Sequence, residues 1–255
     1  MLSECVRRMP FEKYVYFGDN ARAPYGNRPE SEIRKFAFEA FEKLSRFPLK
    51  AAVIACNTVT AEAADALRAV YPFPVIGVEP AIKPAAAHGG KVLVLATKAT
   101  AESARFKGLC ARCSGGAQIT VFSPERLAGE IEKHIFSLDD IALDAHLPRA
   151  LCDGVVLGCT HYVFLAKRIA AFYGCPTFDG NAGAAERLRG ILSVLGKECD
   201  TDGCERDFLP KSGMADHSGQ KTNKCSKKCE KTHKNQPIFI GSEKNKNKQV
   251  FLSIK

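Results

Sequence analysis

The chain has 255 residues, 45% of them hydrophobic, enough material for one or two sizeable cores. No apolar run approaches the ~18 residues a membrane helix needs, and residues 1–10 lack the apolar stretch of a secretory leader, so a cytoplasmic protein is expected. The net charge of +9 is a local property: residues 221–255 hold ten lysines against Glu230 and Glu243, which leaves the rest of the chain close to neutral. Eleven cysteines in a chain with this much core read as reduced thiols rather than a disulfide scaffold.

Taken in order, short apolar runs rich in β-branched residues recur: Tyr14-Val15-Tyr16-Phe17, Ala51-Ala52-Val53-Ile54, Pro74-Val75-Ile76-Gly77, Val92-Leu93-Val94-Leu95, Ile119-Thr120-Val121-Phe122 and Gly154-Val155-Val156-Leu157. Near-continuous runs of this kind predict strands covered on both faces. Between them, residues 30–47 carry a helical stripe through Ile33, Phe36, Ala37, Ala40, Phe41 and Leu44. Residues 60–71 are alanine-rich and stop at Pro72; residues 162–173 stop at Gly174, a helix terminator. Alternation of this sort predicts an α/β protein: two similar parallel-sheet halves with the active site in the cleft between them, plus a disordered basic tail. The expected boundaries are 1–80 with 180–196 for the first half, 81–179 for the second, and 197–255 for the lysine-rich tail.

Two strand ends match each other. Val53-Ile54-Ala55-Cys56-Asn57-Thr58 and Val155-Val156-Leu157-Gly158-Cys159-Thr160-His161 each deliver a cysteine, small polar residues and then a helix. Ligands of open α/β sheets bind at the carboxyl ends of strands. A thiol at a helix start is expected to have its pKa lowered by the dipole. In two halves that face each other, Cys56 and Cys159 would oppose each other across the cleft. That arrangement suits racemisation at an amino-acid α-carbon, which removes a proton from one face and returns one to the other; two groups exchange the roles of base and acid. Backbone N–H groups at the helix starts, with Asn57, Thr58 and Thr160, would hold carboxylates.

With these residues the chain resembles the bacterial glutamate racemases of the aspartate/glutamate racemase superfamily. The resemblance runs from about residue 2 to 195 and rests on Tyr16-Phe17-Gly18-Asp19-Asn20-Ala21-Arg22-Ala23-Pro24-Tyr25-Gly26, on Ala55-Cys56-Asn57-Thr58-Val59-Thr60-Ala61 and on Leu157-Gly158-Cys159-Thr160-His161-Tyr162. It implies that Cys56 and Cys159 are the catalytic pair, Cys56 acting on the D form and Cys159 on the L form, with His161 and Glu132 assisting the second thiol. Tyr25, Gly26, Asn57, Thr58, Thr160 and His161 would contact substrate; Pro24, Thr97 and Thr100 fall beside them. The implied activity is interconversion of L- and D-glutamate without pyridoxal phosphate, metal or other cofactor, supplying D-glutamate for peptidoglycan. The implied partner is the small-molecule substrate, with a homodimer admitted and neither membrane nor nucleic acid expected. The alternatives are a racemase of aspartate or another acidic amino acid, and an inactive homologue that acts as a binding protein.

Two departures from the family pattern carry expectations of their own. Val163 replaces the usual proline after the His-Tyr pair. The family's opening strand, which ends in an Asp-Ser-Gly motif, has no counterpart ahead of residue 14. Its neighbours are expected to lose ladder partners, each unpaired buried group costing roughly 1–3 kcal/mol, so a poorly stable and weakly active chain is expected. Elsewhere the plainer readings prevail. His88, His134 and His146 read as solvated helix positions, and Cys110 and Cys113 as structural. The spacings of Cys199, Cys204, Cys225 and Cys229 are irregular for zinc, and the Lys/Asn/Ser/Gln-rich tail predicts disorder.

Overall fold

A computed structural model describes residues 1–201, 238–240 and 249–253, with side chains to residue 195. Among the described residues, two sheets form the scaffold. The first contains β1 (Tyr14–Phe17), β2 (Leu49–Ile54), β3 (Val75–Gly77), β8 (Ile238–Ile240) and β9 (Gln249–Ser253), in the order β3-β2-β9-β1-β8. The second contains β4 (Lys91–Ala96), β5 (Gln118–Phe122), β6 (Gly154–Gly158) and β7 (Thr177–Asp179), in the order β5-β4-β6-β7, with every pairing parallel. All six strands expected from apolar runs form.

For β2, β4 and β6 the reason is burial on both faces; β5, expected to be covered in the same way, is instead a largely exposed edge strand with Val121 41% exposed. Ala51 to Ile54 are fully buried, and so are Val94, Leu95, Val155 and Val156. Alternate residues of the first sheet feed different cores: Val15, Ala52 and Ile54 pack with α2 (Glu30–Leu44) and α3 (Asn57–Val70), whereas Tyr14, Ala51 and Val53 pack with α1 (Leu2–Arg8) and α9 (Asn181–Thr201). The second sheet is treated the same way. Leu93, Leu95, Val155 and Leu157 face α7 (Leu127–Lys133) and α8 (Ala166–Tyr173); Val92, Val94 and Val156 face α4 (Ile82–His88) and α6 (Ala104–Cys113). A short helix, α5 (Lys98–Glu102), follows β4.

Helix ends obey local chemistry. Ser103 caps α6 by accepting from the Phe106 amide, and α8 ends at Gly174 with φ of 68°, a left-handed conformation that glycine adopts without strain. The helix expected from residue 60 begins at Asn57, directly after Cys56. The helix expected over 162–173 begins as a 3-10 turn at Tyr162–Leu165 before α8 proper.

The expectation that the neighbours of a missing opening strand lose their partners is not met. β9 lies between β1 and β2 and runs parallel to both, with a register irregularity between Leu49 and Ala51 on the β2 side. β8 covers the outer edge of β1 in antiparallel register. Residues 238–240 and 249–253 thus join the sheet, which the reading of 197–255 as a disordered tail did not include; the remainder of that stretch beyond Thr201 lies outside the described residues. With it lie the side chains of Cys199, Cys204, Cys225 and Cys229.

Candidate active site

β2 and β6 each run parallel to their sheet neighbours, and their carboxyl ends carry the two cysteines toward each other. Cys56 follows β2 by two residues and caps α3 in extended conformation, φ −148°. Cys159 follows β6 directly and is 6% exposed. The two thiols are near enough that Cys56 helps to raise the pKa of Cys159.

Both thiols titrate above the ordinary cysteine value, contrary to the expected lowering by helix starts. Burial is the first cause at each. Cys159 is pushed up to about 12, with Cys56 and then Glu132 adding to the rise while the backbone amides of His161 and Tyr162 oppose it. At Cys56 the amides of Val59 and Thr58 and the Thr58 hydroxyl oppose burial without overcoming it. The amides at the chain turns are therefore aimed at sulfur, but desolvation outweighs them. Burial thus favours the neutral thiol at each position, and a thiolate on one sulfur would further disfavour ionisation of the other.

Around Cys159 stands a relay. His161 Nδ1 is 3.6 Å from the Cys159 sulfur, and Nε2 is 2.5 Å from Glu132 Oε1. With Nε2–H donating to the carboxylate, Nδ1 is left as the acceptor facing the thiol. Glu132 comes from α7 and fixes the ring from behind.

Around Cys56 the groups are hydroxyls. Thr58 Oγ1 is 2.9 Å from Thr97 Oγ1 and 3.4 Å from Thr100 Oγ1, and Thr97 and Thr100 are 2.9 Å apart. All three are buried, and Thr97 also caps α5 by accepting from the Thr100 amide. This triangle joins the end of β2 to the end of β4. Gly26 packs on it so closely that a side-chain carbon at position 26 would lie 2.5 Å from Thr97 Cγ2. The Ala23-Pro24 peptide is cis and leads into Tyr25, whose hydroxyl donates to Asp19. Asn57 is buried, its amide donating to the Val78 carbonyl at 3.4 Å. Thr160 and Ala55, neighbours of the two cysteines, line one cavity of about 560 Å³ with Tyr16 and Asp179.

Asp19 was not singled out from the sequence. It is fully buried, accepts from Tyr25, and is bound by Arg22 Nε at 2.6 Å; its other oxygen has no hydrogen-bond partner among the described residues. Its signal was available: a carboxylate two residues past a strand end, inside the first matched motif. The residues singled out thus gather at one cleft: the cysteine pair, His161 with Glu132, the three threonines, and Pro24, Tyr25 and Gly26 on the loop against them.

The profile of the Asp/Glu/Hydantoin racemase family matches residues 1–188. The chain belongs to this family. It is 36% identical to a glutamate racemase of Clostridium acetobutylicum over 200 residues, 74% of this chain and 77% of that one. It is 32% identical to a glutamate racemase of Halothermothrix orenii, over 85% of this chain and 89% of that one. Among solved structures, it is similar to Escherichia coli glutamate racemase in complex with L-glutamate and the activator UDP-MurNAc-Ala: 32% identity, TM-score 0.67, covering 75% of this chain and 77% of that one. The RacE1 isoform of Bacillus anthracis glutamate racemase superposes with TM-score 0.64 at 30% identity, covering 76% and 77% of the two chains. The mixed α/β architecture of this racemase is therefore that of its relatives. Among its described residues no helix is long and apolar enough to cross a membrane, and no group of His, Cys, Asp and Glu could hold a metal ion.

Proposed function

We propose that this racemase interconverts L- and D-glutamate by two-base proton transfer between Cys56 and Cys159. The observation that carries the reading is a pair of buried thiols at the carboxyl ends of strands in two different sheets, electrostatically coupled to each other. One sulfur, as thiolate, takes the α-proton from one face of the substrate. The other, as thiol, donates a proton to the opposite face, and the pair is left with its roles exchanged. The transfer itself balances within the pair: one sulfur gains the proton the substrate loses and the other loses the proton the substrate gains, while forming the thiolate on the Cys159 side falls to His161.

His161 and Glu132 act on the Cys159 side. The imidazole takes the thiol proton as Cys159 becomes a base, and the carboxylate stabilises the resulting imidazolium. Thr58, Thr97, Thr100 and the amides at the start of α3 hold the substrate carboxylates. Asp19 keeps Tyr25 oriented over the first thiol. We take residues 1–80 with 180–196 and residues 81–179 as the two halves that bring these groups together. D-glutamate for peptidoglycan, made in the cytoplasm, is the corresponding role.

The test is exchange of the α-hydrogen in deuterated water, from each enantiomer of glutamate and of aspartate. Cys56→Ala and Cys159→Ala should each abolish racemisation while one enantiomer still exchanges, because one base remains. Near wild-type racemisation by either alanine variant would sink the two-base reading, and preference for aspartate would move the substrate.

A further inference from the structure

Seven cysteines have described side chains, and all are free thiols. Cys56 and Cys159 belong to the cleft. Two that the proton transfer does not use stand at the other end of β6, away from Cys159. Cys152 precedes the first residue of β6 by two positions, and Cys175 lies between α8 and β7. The two residues are 23 positions apart in the chain, yet their sulfurs are only 3.6 Å apart.

The fold holds both in place. β6 and β7 run parallel with Val155 level with Thr177, and the Val155 amide donates to the Pro176 carbonyl at 2.9 Å, so the ladder extends back toward the pair. In that register Cys175 is level with Asp153, and Cys152 is its diagonal neighbour, about 4.8 Å across and about 3.3 Å along, or about 6 Å between α-carbons. Disulfides span roughly 4.4–6.8 Å between α-carbons, so the two backbones already stand at bridging distance. On one side Asp153 is fixed: its amide donates to the Lys91 carbonyl at 2.8 Å, and its carboxylate accepts from the Lys91 amide at 2.7 Å. On the other side α8 ends at Gly174, and the Tyr173 hydroxyl donates to the Pro148 carbonyl at 2.9 Å. Both thiols are half-buried, and Cys152 lines a cavity of about 200 Å³ with Lys91, Ala150 and Leu151, through which a small reagent can reach the pair.

We propose that Cys152 and Cys175 form a dithiol site that a small-molecule disulfide oxidises to an intramolecular bridge, closing a loop around the stretch that carries Cys159, Thr160 and His161. One protein thiolate attacks a sulfur of the small disulfide, breaks its S–S bond and releases one small thiol. The second protein thiol gives its proton to solvent and attacks the first sulfur, which breaks the mixed disulfide and releases the other small thiol. The two cysteines lose two electrons and two protons, and the small disulfide is reduced to two thiols. Burial first, then Cys175 and Asp153, push the Cys152 thiol up to about 12, so the first attack falls to Cys175 and Cys152 resolves the mixed disulfide. Both cysteines border the core that contains Cys159, Tyr162, Leu165 and Ile169. The bridge therefore ties down the unit bearing Cys159 without consuming the Cys159 thiol.

The experiment treats the reduced full chain with oxidised glutathione at about pH 8 and maps its unreduced peptides by mass spectrometry. The peptides containing Cys152 and Cys175 should be recovered as one linked pair, two hydrogens lighter than the free peptides together, and dithiothreitol should separate them. Oxidation should raise the melting temperature by about 5 °C or more. Cys175→Ser should abolish that rise, which separates this bridge from any other cross-link; if the variant does not fold, the peptide map of the unsubstituted chain decides. Recovery of Cys152 and Cys175 as separate thiols or as lasting glutathione adducts would overturn the proposal. So would a bridged chain that melts no higher than the reduced one. Neither readout uses racemisation, so the site stands or falls apart from the racemase reading.

Discussion

The two cysteines stand at equivalent places in two sheets, yet their neighbours are unlike. Cys159 has an imidazole backed by a carboxylate, a device for moving a proton. Cys56 has hydroxyls and backbone amides, a device for holding charge in place, and the buried Asp19–Tyr25 pair nearby. The lesson is that similar places at two strand ends do not require similar chemistry: a ring nitrogen lies beside one sulfur, and hydroxyls and amides lie beside the other. Cys159 is raised by burial, by Cys56 and by Glu132 together, and the same Glu132 that raises it also orients the imidazole that relieves it.

The sharpest way to break this comparison is to remove the imidazole. His161→Asn should lower kcat by about 10²-fold or more, within the usual range for a lost acid–base group. The effect should fall mainly on α-hydrogen exchange from L-glutamate, where Cys159 is the base. Because enantiomers have equal free energy, kcat/KM must fall equally in both directions, so the asymmetry appears in exchange and in kcat. Equal loss of exchange from both enantiomers would mean that His161 serves the whole site rather than one thiol.

Alkaline pH tests whether burial is what sets the thiols. Cys5 is raised to about 11, Cys159 to about 12 and Cys152, whose sulfur is 3.6 Å from that of Cys175, to about 12, each first by burial. A group held neutral in the fold binds more protons there than in the unfolded chain once pH exceeds the unfolded value near 9.0. Its contribution is fully present below pH 9 and is lost as pH rises toward 11 to 12. The melting temperature should therefore be flat up to about pH 8.5 and fall beyond it. Replacing fully buried Cys5 with alanine should flatten the fall while lowering the plateau, because a cavity is left. A melting temperature that held steady to pH 11 would mean that the buried thiols are not the alkaline weakness of this fold.

The smallest effect belongs to the hydroxyl side. Thr97→Val removes one corner of the triangle and the cap of α5. A loss of about 1–2 kcal/mol is expected, with a rise in KM larger than any fall in kcat. Thermal unfolding and steady-state kinetics check it; a kcat effect as large as that of His161→Asn would erase the distinction between the two sides.

Much of this was legible from residues alone. Five of the six apolar runs became strands in buried sheet positions, and the sixth, β5, became an exposed edge strand; the two cysteines drew notice because parallel strands present their ends to ligands. What was not legible has physical causes. β7 is three half-buried residues between Pro176 and Gly180, too short for periodicity. β8 and β9 were hidden by the lysine-rich composition around them, since propensity cannot report a slot waiting elsewhere in the sheet. The sign of the thiol shifts depended on burial, a tertiary quantity that the helix-start argument omits. Asp19 lay inside a recognised motif, but only the Tyr25 hydroxyl bonded to it marks it as part of the site.

The position of β9 also bears on how the molecule comes into being. Translation delivers β1 and β2 early and residues 249–253 after every other described element, yet the sheet needs the late segment in its middle. Val15 and Phe251, level with each other in the sheet, lie near opposite ends of the described sequence, a contact of the most non-local kind. The second sheet, made of residues 91–179 alone, meets no such delay. During synthesis the strands of the second sheet are complete by residue 179, while the first sheet waits for residues 249–253. Sheet edges that stay unpaired longest are the ones most exposed to misassembly, and here those are β1 and β2.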